Sequence, residues 1–332
     1  MAYIKDLSYS QPSSWVDSNT IENWTDSKPD FISGKIGNSK RAFLGENETG
    51  LDLCESACRR MFEKYETLPK FGLLVVVTQN PDYKLPHMSA LLQNRLGFSE
   101  NVACFDIALG CSGFVYGLKA IEGFMYSQNI SDALLVTCDP YSRIMQRQDR
   151  DTMTVFGDAA ACTWITSTDV EGGAEIKDAV LGTDGSGAEH LIVRSGGSAN
   201  PSVKTLFGPD PQNSTAEDAR LYMNGRAILE FMLTKVPPMV DACLVKNELT
   251  HNEVDYYVFH QASGYMIKQL IRRMGLNADK VPILMDTTAN TVSSTLPIAL
   301  DILSSKVELQ GKCLVLCGFG VGLSWGCIIL QY

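Results

Sequence analysis

The chain has 332 residues, with 28 basic and 38 acidic side chains and a formal net charge of −10 at pH 7. Hydrophobic residues make up 45% and charged residues 20% of it, which is ordinary globular usage and excludes a disordered chain. The acidic balance argues against nucleic acid as a general partner. No apolar run reaches about 18 residues, so no membrane span is predicted.

The first residues, MAYIKDLSYSQPSSW, lack the charged-then-apolar pattern of a signal peptide, so we expect a cytoplasmic protein. Most of the ten cysteines lie inside apolar runs, where cysteine behaves as a small hydrophobic residue. There is no CxxC pair, and the CxxxC pairs lack a matching histidine cluster. The sequence therefore predicts reduced thiols and no metal site.

The first half of the chain alternates predicted strands and helices. The apolar run LLVVVTQ at 73–79 is typical of a buried strand, and a predicted helix that ends near Gly97 follows it. A second strand, NVACFD, ends at Asp106 and leads through a small-residue turn and a helix to the strand-like ALLVTC. Buried strands that alternate with helices predict an α/β protein with a mostly parallel sheet.

The second half repeats this order. The run DYYVFHQ at 255–261 precedes a predicted helix, KVPILMD ends at Asp286, and a turn, a helix and the strand-like CLVLC follow. The spacing from Asp106 to Leu134 equals that from Asp286 to Leu314. Matched spacing of like elements indicates a duplicated unit.

The repeat predicts two halves with a boundary near residues 166–172. The N-terminal half, 1–168, carries the candidate nucleophile, and the C-terminal half, 169–332, carries the other polar candidates described below. The segment 184–215 is rich in Gly, Ser, Asn and Pro and is predicted to be a loop.

Cys111 is the candidate nucleophile. It lies in FDIALGCSGFVYGL, between an apolar strand and the start of an amphipathic helix, and its neighbours Gly110, Ser112 and Gly113 leave room for a substrate. Because a helix N-terminus stabilises a thiolate, we expect the pKa of this thiol to be lowered. A buried core cysteine, which suits the other cysteines, is the alternative.

Two polar residues of the second half are candidates for the same site. His260 ends the run YYVFH and enters a polar turn, where a histidine acts as a base or a hydrogen-bond donor, or is simply structural. Asn290 occupies the repeat position equivalent to Gly110, which would place it opposite Cys111 across a shared cleft. Its alternative role is a helix N-cap.

The run GFGVG, from Gly318 to Gly322, predicts a tight turn with accessible backbone N–H groups. It lacks the spacing of a dinucleotide site and the acidic residue that such a site has downstream. We expect it to supply an oxyanion-hole donor.

A cysteine, a histidine, an asparagine and a glycine turn in this order resemble the thiolase superfamily, and within it the β-ketoacyl-acyl carrier protein synthase III-like enzymes. The resemblance runs from about Phe31 to Tyr332. Its motifs are GCSGFVYGL around Cys111, DRDTMTVFGDAA at 149–160, VFHQAS at 258–263, ANTVSSTLPIAL at 289–300 and GFGVGLSWG at 318–326. It implies a thiolase-like fold, with two similar α/β halves in five αβαβα layers and the active site between them.

The resemblance implies a two-step acyltransferase reaction. Cys111 would take an acyl group from a thioester of coenzyme A or acyl carrier protein, while the N–H groups of Cys111 and Val321 hold the oxyanion. A malonyl or related β-keto thioester would then lose CO₂, with His260 and Asn290 hydrogen-bonded to the enolate. The carbanion would attack the acyl-cysteine in a Claisen condensation. No metal is implied, and no cofactor apart from these thioester substrates.

The resemblance also implies residues that bind the substrate. Arg150 matches an arginine that contacts the nucleotide end of coenzyme A, Lys35 matches a second basic residue, and Phe31 stands where an adenine-stacking tryptophan is common. Leu85 matches a residue that lines the acyl pocket of the partner subunit, which implies a homodimer.

Arg272 and Arg273 follow His260 on the next predicted helix. They resemble basic residues proposed to dock acyl carrier protein, and on an acidic chain they form a local basic patch. A solvated helix face is the alternative.

Three positions depart from the family pattern on the side of the second substrate. Ser263 replaces an asparagine, Tyr265 stands where arginine is usual, and Ala289 replaces the glycine before Asn290. These changes predict a specialised fatty acid or polyketide-type pathway rather than the initiation of fatty acid synthesis.

Three other functions compete with condensation. A non-condensing acyltransferase would move the acyl group from Cys111 to oxygen, nitrogen or another carbon. A non-catalytic subunit of a heterodimeric synthase would not need Cys111, His260 and Asn290 together. A cysteine hydrolase is disfavoured because the nucleophile-elbow spacing is absent.

Overall fold

The computed structural model describes residues 1–201, 203 and 218–332. The strands in this part of the chain are β1 (Tyr3–Ser10), β2 (Ser14–Asp17), β3 (Lys40–Phe43), β4 (Leu73–Val77), β5 (Ala103–Ile107), β6 (Asp132–Cys138), β7 (Ala160–Thr166), β8 (Ala174–Thr183), β9 (Leu191–Val193), β10 (Leu221–Met223), β11 (Tyr256–Phe259), β12 (Cys313–Gly320) and β13 (Ser324–Gln331). The α-helices there are α1 (Ser18–Trp24), α2 (Gly50–Phe62), α3 (Met88–Arg95), α4 (Gly113–Gln128), α5 (Arg150–Met153), α6 (Gly225–Lys246), α7 (Gly264–Met274) and α8 (Thr295–Ser304). None of these helices is long and apolar enough to cross a bilayer.

Nine strands form one sheet in the order β11-β12-β13-β8-β1-β7-β6-β4-β5. The run β4, β6, β7, β1 is matched by β11, β12, β13, β8, so the same strand arrangement occurs twice. The two runs meet where β1 pairs with β8, through Tyr3 with Glu175 and Ile4 with Ala174. The internal repeat of the sequence therefore corresponds to a repeat in strand order.

The prediction of a mostly parallel sheet is wrong. In this sheet β4 pairs in parallel with β5 and β6, and β11 pairs in parallel with β12. The remaining neighbours pair antiparallel. A parallel pair needs a long crossover, usually a helix, whereas β12 leads into β13 through a short turn and runs antiparallel to it.

The prediction that the run KVPILMD forms a strand is also wrong. Residues 281–286 contain no strand. Pro282 has no N–H to contribute to a ladder. The Leu284 N–H donates instead to the side-chain oxygen of Gln261, at 2.8 Å. The second half therefore lacks a counterpart of β5.

The predicted loop at 184–215 contains regular structure where it is described. Gly185–His190 form a 3₁₀-helix, and β9 pairs antiparallel with β10. The apolar run LIV of β9 finds a partner in LYM of β10, beyond the loop. Residues 202 and 204–215 lie outside the described part of the chain, and the prediction made for them is untested.

Each half of the sheet has two faces, and the alternation of side chains along its strands produces a separate core on each face. Helices α4 and α8 pack between the halves, against Val75 of the first and Leu316 of the second. Helices α2 and α3 cover the opposite face of the first half, around Val76. Helices α6 and α7 cover that of the second, around Val315. These five layers are the αβαβα arrangement of the thiolase-like fold.

The end of β12 touches the chain just before α4. A Cβ atom added to Gly318 would lie 2.6 Å from the carbonyl oxygen of Cys111 and 2.9 Å from the Cα of Ser112. Both are backbone atoms of the opposite half, so they cannot move aside as a flexible side chain would. The halves therefore approach each other as closely as a residue without a side chain allows.

We expect Gly318→Ala to lower the free energy of unfolding by about 1–3 kcal/mol, because overpacking forces the backbone to shift. Gly123→Ala is the matched control. Gly123 lies within α4, and nothing lies within 4 Å of an added Cβ. That change should raise the free energy of unfolding by about 0.5–1 kcal/mol. Urea unfolding followed by circular dichroism measures both, and a stabilised Gly318→Ala protein would contradict the close approach.

Candidate active site

A cavity of about 410 Å³ is lined by Cys111, His260 and Asn290, among other residues. The three residues are 5%, 2% and 4% exposed, respectively. Cys111 precedes α4, His260 directly follows β11, and Asn290 lies on the loop that leads to α8. The structure thus brings the three candidate residues from both halves of the chain to one buried space.

The Cys111 thiol differs electrostatically from the prediction. Burial and the carboxylate of Asp139 raise the pKa of this thiol to about 12, while the N–H groups of Val321 and Cys111 act in the opposite direction. The expected lowering of the pKa is therefore wrong. Desolvation of a buried thiolate and a neighbouring negative charge outweigh the helix N-terminus. The thiol is accordingly protonated at neutral pH.

The glycine run next to Cys111 is part strand and part turn. Gly318 and Gly320 are in β12, so the turn itself begins at Val321, later than predicted. A Cβ added to Gly320 would lie 2.8 Å from the Cys111 sulfur. The missing side chain therefore lets the strand end lie against the nucleophile, where the Val321 N–H acts to lower the pKa of the thiol.

A pair of buried hydroxyl groups ties this turn to the nucleophile loop. Ser112 Oγ lies 2.5 Å from Ser324 Oγ, and the Ser324 hydroxyl donates to the Val321 carbonyl at 3.0 Å. Because this uses the only hydroxyl hydrogen of Ser324, Ser112 is the donor within the pair. The pair thus holds the backbone around Cys111 and Val321 together.

His260 is held by its backbone and by one ring nitrogen. Its N–H donates to the carbonyl of Cys317 at 2.7 Å, and its Nδ1 lies 2.6 Å from the hydroxyl oxygen of Thr295. Burial lowers the pKa of the imidazole to about 3, so the ring is neutral at neutral pH. With Nδ1 occupied, Nε2 is the nitrogen left for a ligand in the cavity.

The amide of Asn290 is oriented by the backbone. The Val292 N–H donates to Asn290 Oδ1 at 2.9 Å, which leaves the NH₂ group as the free donor. The N-cap of α8 is Ser294, so the alternative role of Asn290 as the cap of that helix does not apply. Ala289 has a φ of 59°, a conformation that the glycine usual at this position adopts without strain.

Sequence reasoning missed a buried carboxylate beside the nucleophile. Asp139 follows β6, and its oxygens accept the Gln79 N–H at 2.6 Å and the Ser293 hydroxyl at 2.5 Å. Burial raises the pKa of Asp139 to about 6. The carboxylate therefore joins the first half to the loop that carries Asn290. An acidic residue directly after the buried run ALLVTC was the signal available in the sequence.

The exposed part of the cavity lining is cationic and aromatic. The Arg150 guanidinium lies 4.5 Å from the ring centre of Phe31, and Lys35 Nζ lies 5.2 Å from that of Tyr265. Arg226, in the first turn of α6, also lines the cavity, although the sequence analysis did not single it out. With Asp151 as the one exposed carboxylate of the described lining, these three cations still leave a local excess of positive charge, which suits an anionic ligand.

The remaining candidates lie away from the cavity. Leu85 is 86% exposed on the surface loop before α3. Arg272 and Arg273 are exposed in the last turn of α7. Within the described residues, none of the three lines the cavity.

Comparison with known proteins identifies the family. A family model described as 3-oxoacyl-[acyl-carrier-protein (ACP)] synthase III matches residues 105–185, and the model of its C-terminal part matches residues 244–332. The β-ketoacyl-[acyl-carrier-protein] synthase III of Syntrophomonas wolfei is 30% identical over 334 residues, which cover 99% of this chain and 97% of that protein. The chain belongs to the β-ketoacyl-acyl carrier protein synthase III family.

Another relative and two solved structures are similar over nearly the whole chain. The β-ketoacyl-[acyl-carrier-protein] synthase III of Clostridium acetobutylicum is 30% identical over 323 residues, covering 97% of this chain and 95% of its own. A solved 3-oxoacyl-(acyl-carrier-protein) synthase III has a TM-score of 0.91 and 33% identity, covering 100% of this chain and 99% of that one. The structure of the priming β-ketosynthase of the R1128 polyketide pathway has a TM-score of 0.86 and 25% identity. The match covers 100% of this chain and 96% of that one. As a synthase III family member, the protein is a condensing acyltransferase.

We expect Asp139→Asn to speed the alkylation of Cys111 by iodoacetamide at pH 8. Removing the negative charge lowers the pKa of the thiol, and each pKa unit gives about tenfold more thiolate. In the unchanged protein the rate should still rise above pH 9, because the pKa lies above the usual thiol value of 9.0. Mass spectrometry with peptide mapping gives the rate at Cys111. The exposed Asp169 supplies the control, Asp169→Asn, and equal rates in both variants would contradict a direct effect of Asp139.

Proposed function

We propose that this protein extends an acyl thioester by decarboxylative Claisen condensation, with Cys111 as the nucleophile and His260 and Asn290 as enolate-binding residues. One observation carries the proposal: the three side chains line a single buried cavity. The Val321 N–H, which favours negative charge at the sulfur, supports an oxyanion hole at the same place. The first half of the chain then supplies the nucleophile and the second half supplies the donors.

In the first half-reaction the sulfur of Cys111 adds to the thioester carbonyl. The N–H groups of Cys111 and Val321 bind the oxyanion that forms, since both already favour a negative charge at the sulfur. Collapse of this intermediate breaks the bond to the donor thiol and leaves the acyl group on Cys111. Cys111 is protonated before the reaction. Its proton passes to the sulfur of the donor, which leaves as a thiol.

In the second half-reaction a malonyl thioester loses CO₂, and the electron pair of the broken bond forms an enolate. Its oxygen accepts hydrogen bonds from the Asn290 NH₂ and from the ring of His260, both neutral donors. The enolate carbon attacks the acyl carbonyl on Cys111. The N–H groups of Cys111 and Val321 bind the new oxyanion. The cysteine thiolate leaves and takes a proton from solvent, which releases a β-ketoacyl thioester.

The cavity mouth supports a thioester with a phosphate-bearing handle, which coenzyme A and the phosphopantetheine of acyl carrier protein share. Arg150 and Lys35 would bind the phosphates, and Phe31 offers a ring for stacking. Arg272 and Arg273 are exposed and suit the docking of an acidic carrier protein.

We also propose that the reaction belongs to a specialised fatty acid or polyketide-type pathway. Ser263 and Tyr265 line the cavity and replace the residues usual in the family. The likeness to the R1128 priming β-ketosynthase supports a priming role of this kind.

The central test is intact-protein mass spectrometry with acyl-coenzyme A and acyl carrier protein thioesters, followed by addition of malonyl thioester. Cys111→Ala should abolish the acyl adduct. His260→Ala and Asn290→Ala should keep the adduct but slow condensation by about 10²–10³-fold, since each removes a donor to the developing charge. Cys104→Ala is the control, because Cys104 is the free thiol that is only partly buried.

Each outcome separates the proposed roles. Discharge of the adduct with release of CO₂ supports condensation. An adduct that ignores malonyl thioester would instead favour a non-condensing acyltransferase acting on another acceptor. Equal loss of the adduct in all three variants would contradict the division of work between Cys111 and the two donors.

We propose in addition that the protein is a homodimer in which the loop of Leu85 lines the acyl pocket of the partner. Tyr83 and Leu85 are 59% and 86% exposed on the same loop, an arrangement that suits burial in an interface. Leu85→Asp should convert a dimer into a monomer, as measured by light scattering after gel filtration. Tyr126→Asp changes an 89% exposed side chain on α4 and should leave the dimer intact. A monomeric unchanged protein would refute the proposal.

A further inference from the structure

Thr295 contacts the inner nitrogen of the His260 ring. It is the first residue of α8, it is 3% exposed, and its Oγ1 lies 2.6 Å from His260 Nδ1. The ring of Phe319 packs edge-on against the imidazole, with the centroids 5.6 Å apart, and offers no hydrogen bond to Nδ1. In the described part of the chain, Thr295 is therefore the side chain that determines the hydrogen bonding of Nδ1.

The direction of this hydrogen bond decides which ring nitrogen carries the hydrogen. A neutral imidazole has one N–H and one lone pair. If Thr295 donates to Nδ1, the hydrogen is on Nε2 and the ring offers a donor to the cavity. If Thr295 accepts from Nδ1, Nε2 offers only a lone pair. The two arrangements would support different chemistry with the same residues.

The surroundings of the Thr295 hydroxyl favour donation to His260. The hydroxyl is also placed to donate to the Val292 carbonyl, at 3.1 Å, and that bond would leave it only as an acceptor toward Nδ1. That carbonyl already accepts the backbone N–H of Thr295, so it is satisfied without the hydroxyl. The distance to Nδ1 is the shorter of the two, and among the residues that the structure describes Thr295 is the hydrogen-bond partner of Nδ1.

Val292 connects this hydrogen bond to Asn290. Its φ of 56° is in the left-handed region, where a β-branched residue is a genuine outlier. From this conformation its N–H donates to Asn290 Oδ1 at 2.9 Å, while its carbonyl meets the first residue of α8. Such strain persists where the surroundings over-determine it, as they do at functional sites. One residue thus orients the amide of Asn290 and the helix start that carries Thr295.

We propose that Thr295 is a positioning residue that donates its hydroxyl hydrogen to Nδ1 of His260 and so keeps the Nε2–H of the ring directed into the cavity. The catalytic consequence rests on the proposed condensation, in which Nε2–H and the Asn290 NH₂ are paired donors for one enolate oxygen. The tautomer itself is a property of the free protein.

Nuclear magnetic resonance with ¹⁵N-labelled histidine tests the tautomer without any substrate. Two-bond ¹H–¹⁵N correlations at pH 7 should show the hydrogen of His260 on Nε2, with the signals assigned by their loss in His260→Gln. A hydrogen on Nδ1 in the unchanged protein would overturn the proposal. Because no substrate is present, a protein that failed to condense malonyl thioester would still report on Thr295 by this measurement.

Two variants of Thr295 test the consequence for the reaction. Thr295→Val keeps the shape but removes the donor, and it should slow discharge of the acyl adduct by malonyl thioester by about 10–100-fold, as loss of an orienting partner does elsewhere. Loading of Cys111 should change less than about twofold, because that step uses the backbone N–H groups. Thr295→Ser keeps the hydroxyl and should restore both the discharge rate and the Nε2–H signal.

Urea unfolding first establishes that both variants are folded. Equal slowing in Thr295→Val and Thr295→Ser would assign the effect to packing and reject a positioning role. A Thr295→Val protein that discharges its adduct at the unchanged rate would reject it as well.

Discussion

The close approach of β12 to the start of α4 is the contact on which the rest of the site depends. Gly318 and Gly320 lie where even a methyl group would collide with Cys111. Because they belong to the second half of the chain, they bring its backbone against the nucleophile of the first. The Val321 N–H can favour the thiolate of Cys111 for this reason.

Burial then determines the charge state of the site. The pKa of the Cys111 thiol is raised to about 12 and that of His260 is lowered to about 3, so both groups are neutral at neutral pH. A reaction that creates negative charge, first on a thioester oxygen and later on an enolate, then meets fixed neutral donors. Asp139 is the neighbouring group whose negative charge opposes early formation of the thiolate.

Much of the fold, and the candidates for the site, could be predicted from patterns in the sequence. The matched spacing of the repeat corresponds to a repeated strand order. Cys111 and His260 are candidates from their positions after apolar runs, and Asn290 is one from its place in the repeat. The errors have physical causes in tertiary structure. The direction of each strand depended on whether a crossover helix precedes it. The run at 281–286 forms no strand, because Pro282 has no N–H and the Leu284 N–H donates to the Gln261 side chain.

The sequence by itself determined the α/β class and the duplication, because apolar runs and their spacing are properties of the order of residues. The resemblance of its motifs to the synthase III-like enzymes, rather than periodicity, implied that Cys111, His260 and Asn290 share one site. The tertiary structure alone decided the pKa of Cys111, the orientation of the Asn290 amide and the contact of Thr295 with His260. Each of these depends on desolvation or on a hydrogen-bond partner supplied by folding, and neither can be read from the order of residues.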